Sequence, residues 1–373
     1  MKNEIESGSI PILSIGVAAN SLAEMYTKAI LSGTPLKRLP SVMLWGPPGV
    51  GKSQGIRQVA ELISDATGKR TVITDVRLLL FNPIDLRGIP TSNADKTLAV
   101  WLKPQIFQMD ESDDVINILF LDELSAAPQS VQAAAFQITL DRMVGEHRLP
   151  DNCIVIAAGN RVTDRSVAFK MPKALANRML HLEIEGDYTS WREWAVKVGI
   201  HPMILGFLSF RRDHLMRFSP SSDDLAFATP RAWEQVSNLL QIMGDDPEKI
   251  YPLIAGLVGA GVSAELISWT RVYDSLPSIK AIFDGKNPPI PVKTDTLYAL
   301  VSAMTTYVST HKDEMDRIEN SVAYGANLPA DFAAVLFKDY MSLEEGYREK
   351  MLLMPSFARW LQQKGRLLNG SGR

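Results

Sequence analysis

Between Ser41 and Glu185 the chain alternates two kinds of apolar pattern. The stretches "SVMLWG" (41–46), "RTVITDVRL" (70–78), "VINILFLDE" (115–123), "CIVIAAGN" (153–160) and "MLHLEIE" (179–185) are short and nearly continuous in apolar residues. From Lys52 to Thr67 the apolar positions return at helical spacing instead, with Ile56, Val59, Ala60 and Ile63 on one face. Pro128 to Asp141 reads the same way. Runs apolar on both faces suit strands of a parallel sheet covered by helices on either side. Such strands alternating with helices predict a doubly wound α/β domain. Upstream, Ser21 and Glu24 have capping-box spacing and Gly33 offers a stop, so a helix is expected to begin at Ser21.

After Gly186 strand runs disappear and helical periodicity takes over. The Gly/Pro-rich stretch "FDGKNPPIPVK" (283–293) reads as a boundary. Three segments are therefore expected: an α/β part up to residue 185, a helical part up to this break, and a helical extension after it. Within the extension, "MLLMPSFARWLQQ" could present a helix to a partner, although core packing is the favoured reading. Two segments interrupt the α/β rhythm. "NPIDLRGIPTSNADKTLAVWLKP" (82–104) holds two apolar pieces around a polar turn, and "RMVGEHRLPDN" (142–152) looks like a hairpin. Each is either loop decoration or a pore or partner contact.

Composition narrows the class. The chain has 373 residues, 46% apolar and 22% charged, with a formal net charge of −3, which gives no electrostatic footprint for nucleic acid. One cysteine, Cys153, lies in an apolar run and reads as a buried hydrophobe. The first residues lack the apolar core of a signal peptide, and no stretch is long and apolar enough to span a bilayer, so a cytoplasmic protein is expected. There is no HExxH, no Cys/His cluster and no GxSxG elbow. The acidic run "MDESDDV" (109–115) lacks the spacing of a calcium loop and reads as a solvated loop.

The chemistry lies at the strand ends. Gly46, Gly51, Lys52 and Ser53 fit G-x-x-x-x-G-K-[ST] between an apolar strand and a helix. Gly46, Pro47, Pro48, Gly49, Val50, Gly51, Lys52, Ser53 and Gln54 form the expected phosphate-binding stretch. Its glycines let successive N–H groups turn inward, and the helix start adds unpaired N–H groups and a positive dipole end. Lys52 can reach the β- and γ-phosphates of ATP, and the Ser53 hydroxyl can ligate Mg²⁺. Gln54 stands where a dinucleotide turn requires a third glycine, which disfavours NAD. Asp122, ending a buried run, is the second expected Mg²⁺ ligand, and Glu123 beside it can orient or deprotonate an attacking water. Asn160, at the end of "AAGN", could bond the γ-phosphate or that water, or simply occupy a turn. In "ATPRAWEQV", Thr229 and Pro230 suit a helix start, with Arg231 in its first turn.

"GPPGVGKS", "LFLDE", "AAGN", "LANR" and "TPRAW", in this order, resemble the AAA+ ATPases over roughly residues 22–240. "DLRGIP", "DRMVGEHRLPD" and "DELSAAPQSVQAAAFQ" resemble the MoxR branch. The resemblance implies a P-loop fold with sheet order 5-1-4-3-2 over 1–185, followed by a helical lid over 186–278, which leaves 279–373 as a helical C-terminal extension. It implies that Asn160 is the sensor-1 residue and Arg231, on the lid, the sensor-2 residue. It makes Arg178 in "LANRM" the arginine finger, acting on a neighbouring subunit's nucleotide. Arg142, Arg161 and Arg165 stand where a second such arginine could sit. The implied assembly is a ring, usually of six, that remodels a protein client. The implied partner carries a von Willebrand factor A domain. The alternatives kept open are a nucleic-acid-associated ATPase of the same fold and a nucleotide-gated scaffold without turnover.

Overall fold

The computed structural model describes residues 10–161, 171, 173–219, 222–244, 246–344, 346–364 and 368. The chain divides after Asp187 into two compact units, apart from the short stretch Ser219–Ser222, which groups with the first.

The first unit contains strands β1 (Ile12–Ser14), β2 (Val42–Trp45), β3 (Arg70–Arg77), β4 (Ile89–Ser92), β5 (Ala99–Leu102), β6 (Val115–Asp122), β7 (Met143–Val144), β8 (His147–Arg148), β9 (Cys153–Gly159) and β10 (Leu180–Glu185). Six of them form one sheet in the order β1-β10-β2-β9-β6-β3. Every neighbouring pair in it is parallel. Counted from β2, the last five stand in the expected order 5-1-4-3-2. The expectation lacked the sixth strand, β1, whose three residues are too short to carry a period. The remaining strands are the two antiparallel hairpins, β4–β5 and β7–β8, at the two interrupting segments.

Burial explains the central strands. All seven residues of β9 are buried, and so are those of β6 up to Leu121. Cys153 belongs to this core, and burial pushes its thiol up to about 11. Helices α1 (Ile15–Leu31), α2 (Lys52–Thr67), α3 (Pro83–Arg87) and α4 (Gln129–Asp141) belong to the same unit. In α2, Ile56, Val59, Ala60 and Ile63 are buried, as the spacing predicts. The first helix departs from expectation: it starts at Ile15, where the Ser14 hydroxyl accepts the Val17 N–H at 3.3 Å. Ser21 and Glu24 fall mid-helix, and Glu24 pairs with Lys28 one turn on rather than capping anything. No helix among the described residues is long and apolar enough to cross a membrane.

The second unit is helical from Tyr188–Lys197 through Pro355–Lys364. The Gly/Pro-rich break at 283–293 lies inside it, and apolar residues on both sides share one core. Helix Pro202–Phe210 lies so close to helix Thr294–Thr310 that a Cβ on Gly206 would sit 3.2 Å from the Ala299 Cα. The stretch "MLLMPSFARWLQQ" spends its apolar side here: Phe357 and Trp360 are buried and both set their rings against Phe337.

A buried ion pair ties this core together. The Arg192 guanidinium donates twice to Asp339, Nε to Oδ1 at 3.1 Å and Nη2 to Oδ2 at 2.6 Å. Its Nη1 donates to Tyr188 Oη, Ser209 Oγ and the Leu205 carbonyl. Thr305 Oγ1 donates to Asp339 as well. Burial opposes the Arg192 charge, but Asp339 and Tyr188 outweigh it and hold the guanidinium above its ordinary range. Both side chains are at most 8% exposed, so removing one partner strands a charge away from water. Asp339→Ala should cost about 3–5 kcal/mol in chemical denaturation followed by tryptophan fluorescence. A loss within 1 kcal/mol, roughly the upper value for an exposed pair, would show that water reaches the site.

Candidate nucleotide site

Three neighbouring parallel strands, β2, β9 and β6, end along one edge of the sheet. Their last residues lead into Gly46, Asn160 and Glu123. The loop between β2 and α2 begins with Gly46, whose N–H donates to the Gly159 carbonyl at 3.2 Å. A Cβ on Gly46 would sit 2.4 Å from the Ile184 carbonyl oxygen, so no side chain fits where the loop leaves the sheet. Gly49 (φ 82°) and Gly51 (φ 94°) take left-handed conformations that L side chains adopt at a cost. Gly51 is the N-cap of α2 and has no side chain to satisfy the first helical N–H groups. Those donors suit an anion better than any other occupant. Val50 and Pro47 are buried, Pro48 is half-buried and Gln54 is exposed.

The polar residues form one hydrogen-bonded set. Lys52 Nζ donates to the carbonyls of Gly46 (2.6 Å) and Pro47 (3.1 Å) and to Asn160 Oδ1 (3.1 Å). Ser53 Oγ donates to Asp122 Oδ2 at 3.2 Å. The other carboxylate oxygen of Asp122 accepts the Glu123 N–H at 2.8 Å. Asn160 is held through its backbone: its N–H donates to Ser125 Oγ at 2.9 Å and Ser125 Oγ donates back to its carbonyl at 3.0 Å. Glu123 itself is at φ 59°, an uncommon conformation for a non-glycine residue and worth about 1–3 kcal/mol of strain. The turn is held by the Leu124 N–H donating to the Ala158 carbonyl at 2.8 Å.

The Ser53–Asp122 pair fits a magnesium ion. Both are hard oxygen donors, and the edge of an octahedron with metal–oxygen bonds of about 2.1 Å is roughly 3 Å long. The observed 3.2 Å separation lies close to that edge.

One acid near the set escaped the sequence reading. Asp75 on β3 has its carboxyl pushed up by partial burial and by the charge of Asp122, with Arg77 and Arg57 opposing. The register that brings it there pairs Asp75 with Phe120 and Arg77 with Asp122. No spacing within "RTVITDVRL" encodes that alignment.

Lys52, Ser53, Asp122, Glu123 and Asn160 thus stand together, whereas the arginines stand outside this hydrogen-bonded set. Arg178 is exposed in the turn between the short helix Lys173–Ala176 and β10. Arg231 is exposed in the first turn of helix Pro230–Met243 in the second unit, behind the Thr229 cap that accepts the Ala232 N–H at 3.1 Å. Arg142 points its guanidinium at the Cys153 carbonyl. Arg161 pairs with Glu183 and Glu185 on β10. Arg165 lies outside the described residues.

Residues 42–184 match the model of the AAA family, the ATPase family associated with various cellular activities. No curated protein matches the chain. Distant solved structures are similar. NtrX from Brucella abortus in complex with ADP shares 17% identity over 94% of this chain and 68% of its own, with a TM-score of 0.36. A mutant of RuvB from Thermotoga maritima shares 13% over 79% of this chain and 84% of its own, with a TM-score of 0.34. The matched segment runs from the start of β2 into β10 and so contains the whole hydrogen-bonded set.

Replacing Lys52 by Ala removes the cation that faces this cradle. ATP affinity should fall roughly tenfold to a hundredfold, the worth of one charge-assisted contact, in a calorimetric titration. Unchanged affinity would mean that the backbone alone holds the phosphates.

Proposed function

We propose that this AAA-domain protein hydrolyses Mg-ATP and uses the turnover to remodel a protein partner, in the manner of the MoxR branch. The observation that carries the reading is the shared set of Lys52, Ser53, Asp122 and Asn160, with Glu123 joined to it through the backbone. A binding scaffold has no need of the second acid in its strained position.

In this reading Lys52 and the loop N–H groups hold the β- and γ-phosphates of the substrate. Ser53 and Asp122 would hold a Mg²⁺ ion, which would supply charge neutralisation at the phosphates. Glu123 accepts a hydrogen bond from the attacking water and takes its proton as the water adds. Asn160 Oδ1, already bonded to the Lys52 ammonium at 3.1 Å, keeps that cation aimed between the sheet end and the phosphate. Most of the rate then comes from fixed charges aimed at the transferring phosphoryl group. Arg178 adds guanidinium charge from a neighbouring copy in a ring.

The inserted hairpins support a protein client. The His147 ring bonds the Trp101 carbonyl at 2.7 Å, so β4–β5 and β7–β8 are tied to one another. Around them Leu80, Ile84, Ile89, Leu98 and Leu102 are all exposed, between 49% and 77%. Apolar side chains exposed along these segments suit an apolar segment of polypeptide rather than a phosphate backbone. A von Willebrand factor A domain protein, and a cytoplasmic setting, complete the MoxR-type proposal.

Two experiments test it. Glu123→Gln keeps the shape and loses the base, so it should bind Mg-ATP normally and hydrolyse it roughly 10²- to 10⁴-fold more slowly. Near-normal turnover would place water activation elsewhere. Arg178→Ala should likewise keep nucleotide affinity and lose hydrolysis, by roughly 10³-fold or more. Mixed with Lys52→Ala subunits, which supply an arginine but cannot use their own pocket, it should regain activity in a phosphate-release assay. Mixed rings without any recovery would exclude action across the boundary.

A further inference from the structure

Strand β10 is gripped from two nucleotide-facing loops. Trp45 is the last residue of β2, immediately before Gly46. Its indole Nε1–H donates to His181 Nδ1 at 2.9 Å, and the two rings stack with centroids 6.0 Å apart. An indole nitrogen can only donate, so His181 Nδ1 must present a lone pair. A neutral imidazole then carries its hydrogen on Nε2, which lies 2.7 Å from the Ala176 carbonyl and donates to it. Ala176 ends the short helix before Arg178. His181 therefore bridges the root of the phosphate loop and the segment that carries Arg178, using one ring nitrogen for each.

The same face of β10 takes a second hold. His181 pairs with Met43 and Glu183 with Trp45 in the sheet register, so the two side chains project on one side. Glu183 binds Arg161, the residue next to Asn160. Movement at either nucleotide-facing loop thus reaches β10 through side chains, not only through the sheet ladder.

We propose that His181 is a positioning residue: it couples the nucleotide state of a subunit's own phosphate loop to the placement of that subunit's Arg178. The proposal rests on the reading that Arg178 serves a neighbouring copy's nucleotide. It makes a specific demand. A subunit that holds ATP should be a better arginine donor than one that does not.

The test compares two donors mixed with Arg178→Ala subunits, whose pockets are intact. Glu123→Gln donors hold ATP without hydrolysing it; Lys52→Ala donors, at an ATP concentration between the two affinities, leave most of their pockets empty. The first should support phosphate release by roughly threefold to thirtyfold more than the second at equal mixing. Adding His181→Ala to the Glu123→Gln donor should bring that ratio to about one. His181→Phe, which keeps a ring against Trp45 but neither accepts from its indole nor donates to the Ala176 carbonyl, should do the same and guards against a folding defect in the alanine variant. A ratio of one before His181 is touched, or a ratio that survives both variants, overturns the proposal. Amide hydrogen exchange over 173–181 separates it from the arginine reading. An ATP analogue should slow exchange there in the otherwise unaltered protein and not in either His181 variant, even if no donor rescues hydrolysis. Protection that persists in the variants, or exchange raised equally with and without the analogue, overturns the coupling. Failure of every donor with this exchange pattern intact would instead count against Arg178 acting in trans.

Discussion

Everything at the site depends on bringing a serine and an aspartate together across 69 positions of chain, Ser53 Oγ to Asp122 Oδ2. Neither residue is placed by its own neighbourhood. Ser53 is fixed because a glycine loop starts α2 where β2 ends. Asp122 is fixed because β6 is buried through Leu121 and its next residue must surface at the same edge. Strand β9 lies between them, and its end contributes Asn160. A one-residue slip in β6 would turn Asp122 to the other face of the sheet. The apolar strands therefore do more than stabilise the unit: their register sets the distance between Ser53 and Asp122.

The phosphate loop and Asp122–Glu123 were legible in the sequence because each lies within a few residues of chain, beside an apolar run whose burial is itself legible. The span of α2 was legible for the same reason. The start of α1 was not. Ser14 caps it with nothing but one hydroxyl, whereas Ser21 and Glu24 match a capping pattern that the helix ignores, and Glu24 turns to Lys28 instead. Tertiary packing of a long apolar face overrode a local signal. Strand β1 was invisible because it needs a partner, β10, to be a strand at all. Asp75 and His181 belong to the same class. Their meaning comes from Asp122 on the neighbouring β6 and from Trp45 on β2, and a single sequence carries no register.

The helical half shows a different economy. Its helices from both sides of the Gly/Pro break close over one core, and a buried guanidinium in it, Arg192, is answered by Asp339 from far along the chain. A pair of this kind adds little net stability compared with apolar residues of the same shape. It does penalise any arrangement in which helix Tyr188–Lys197 and helix Ala330–Ser342 part.

The central claim is that the Lys52–Ser53–Asp122–Glu123 set is a hydrolytic site completed by a neighbouring copy. The most direct measurement is phosphate release from Mg-ATP by the purified protein over a wide range of protein concentration. Release should require Mg²⁺, and specific activity should climb steeply as copies assemble. Specific activity independent of protein concentration, or no release where assembled rings are seen, would contradict it.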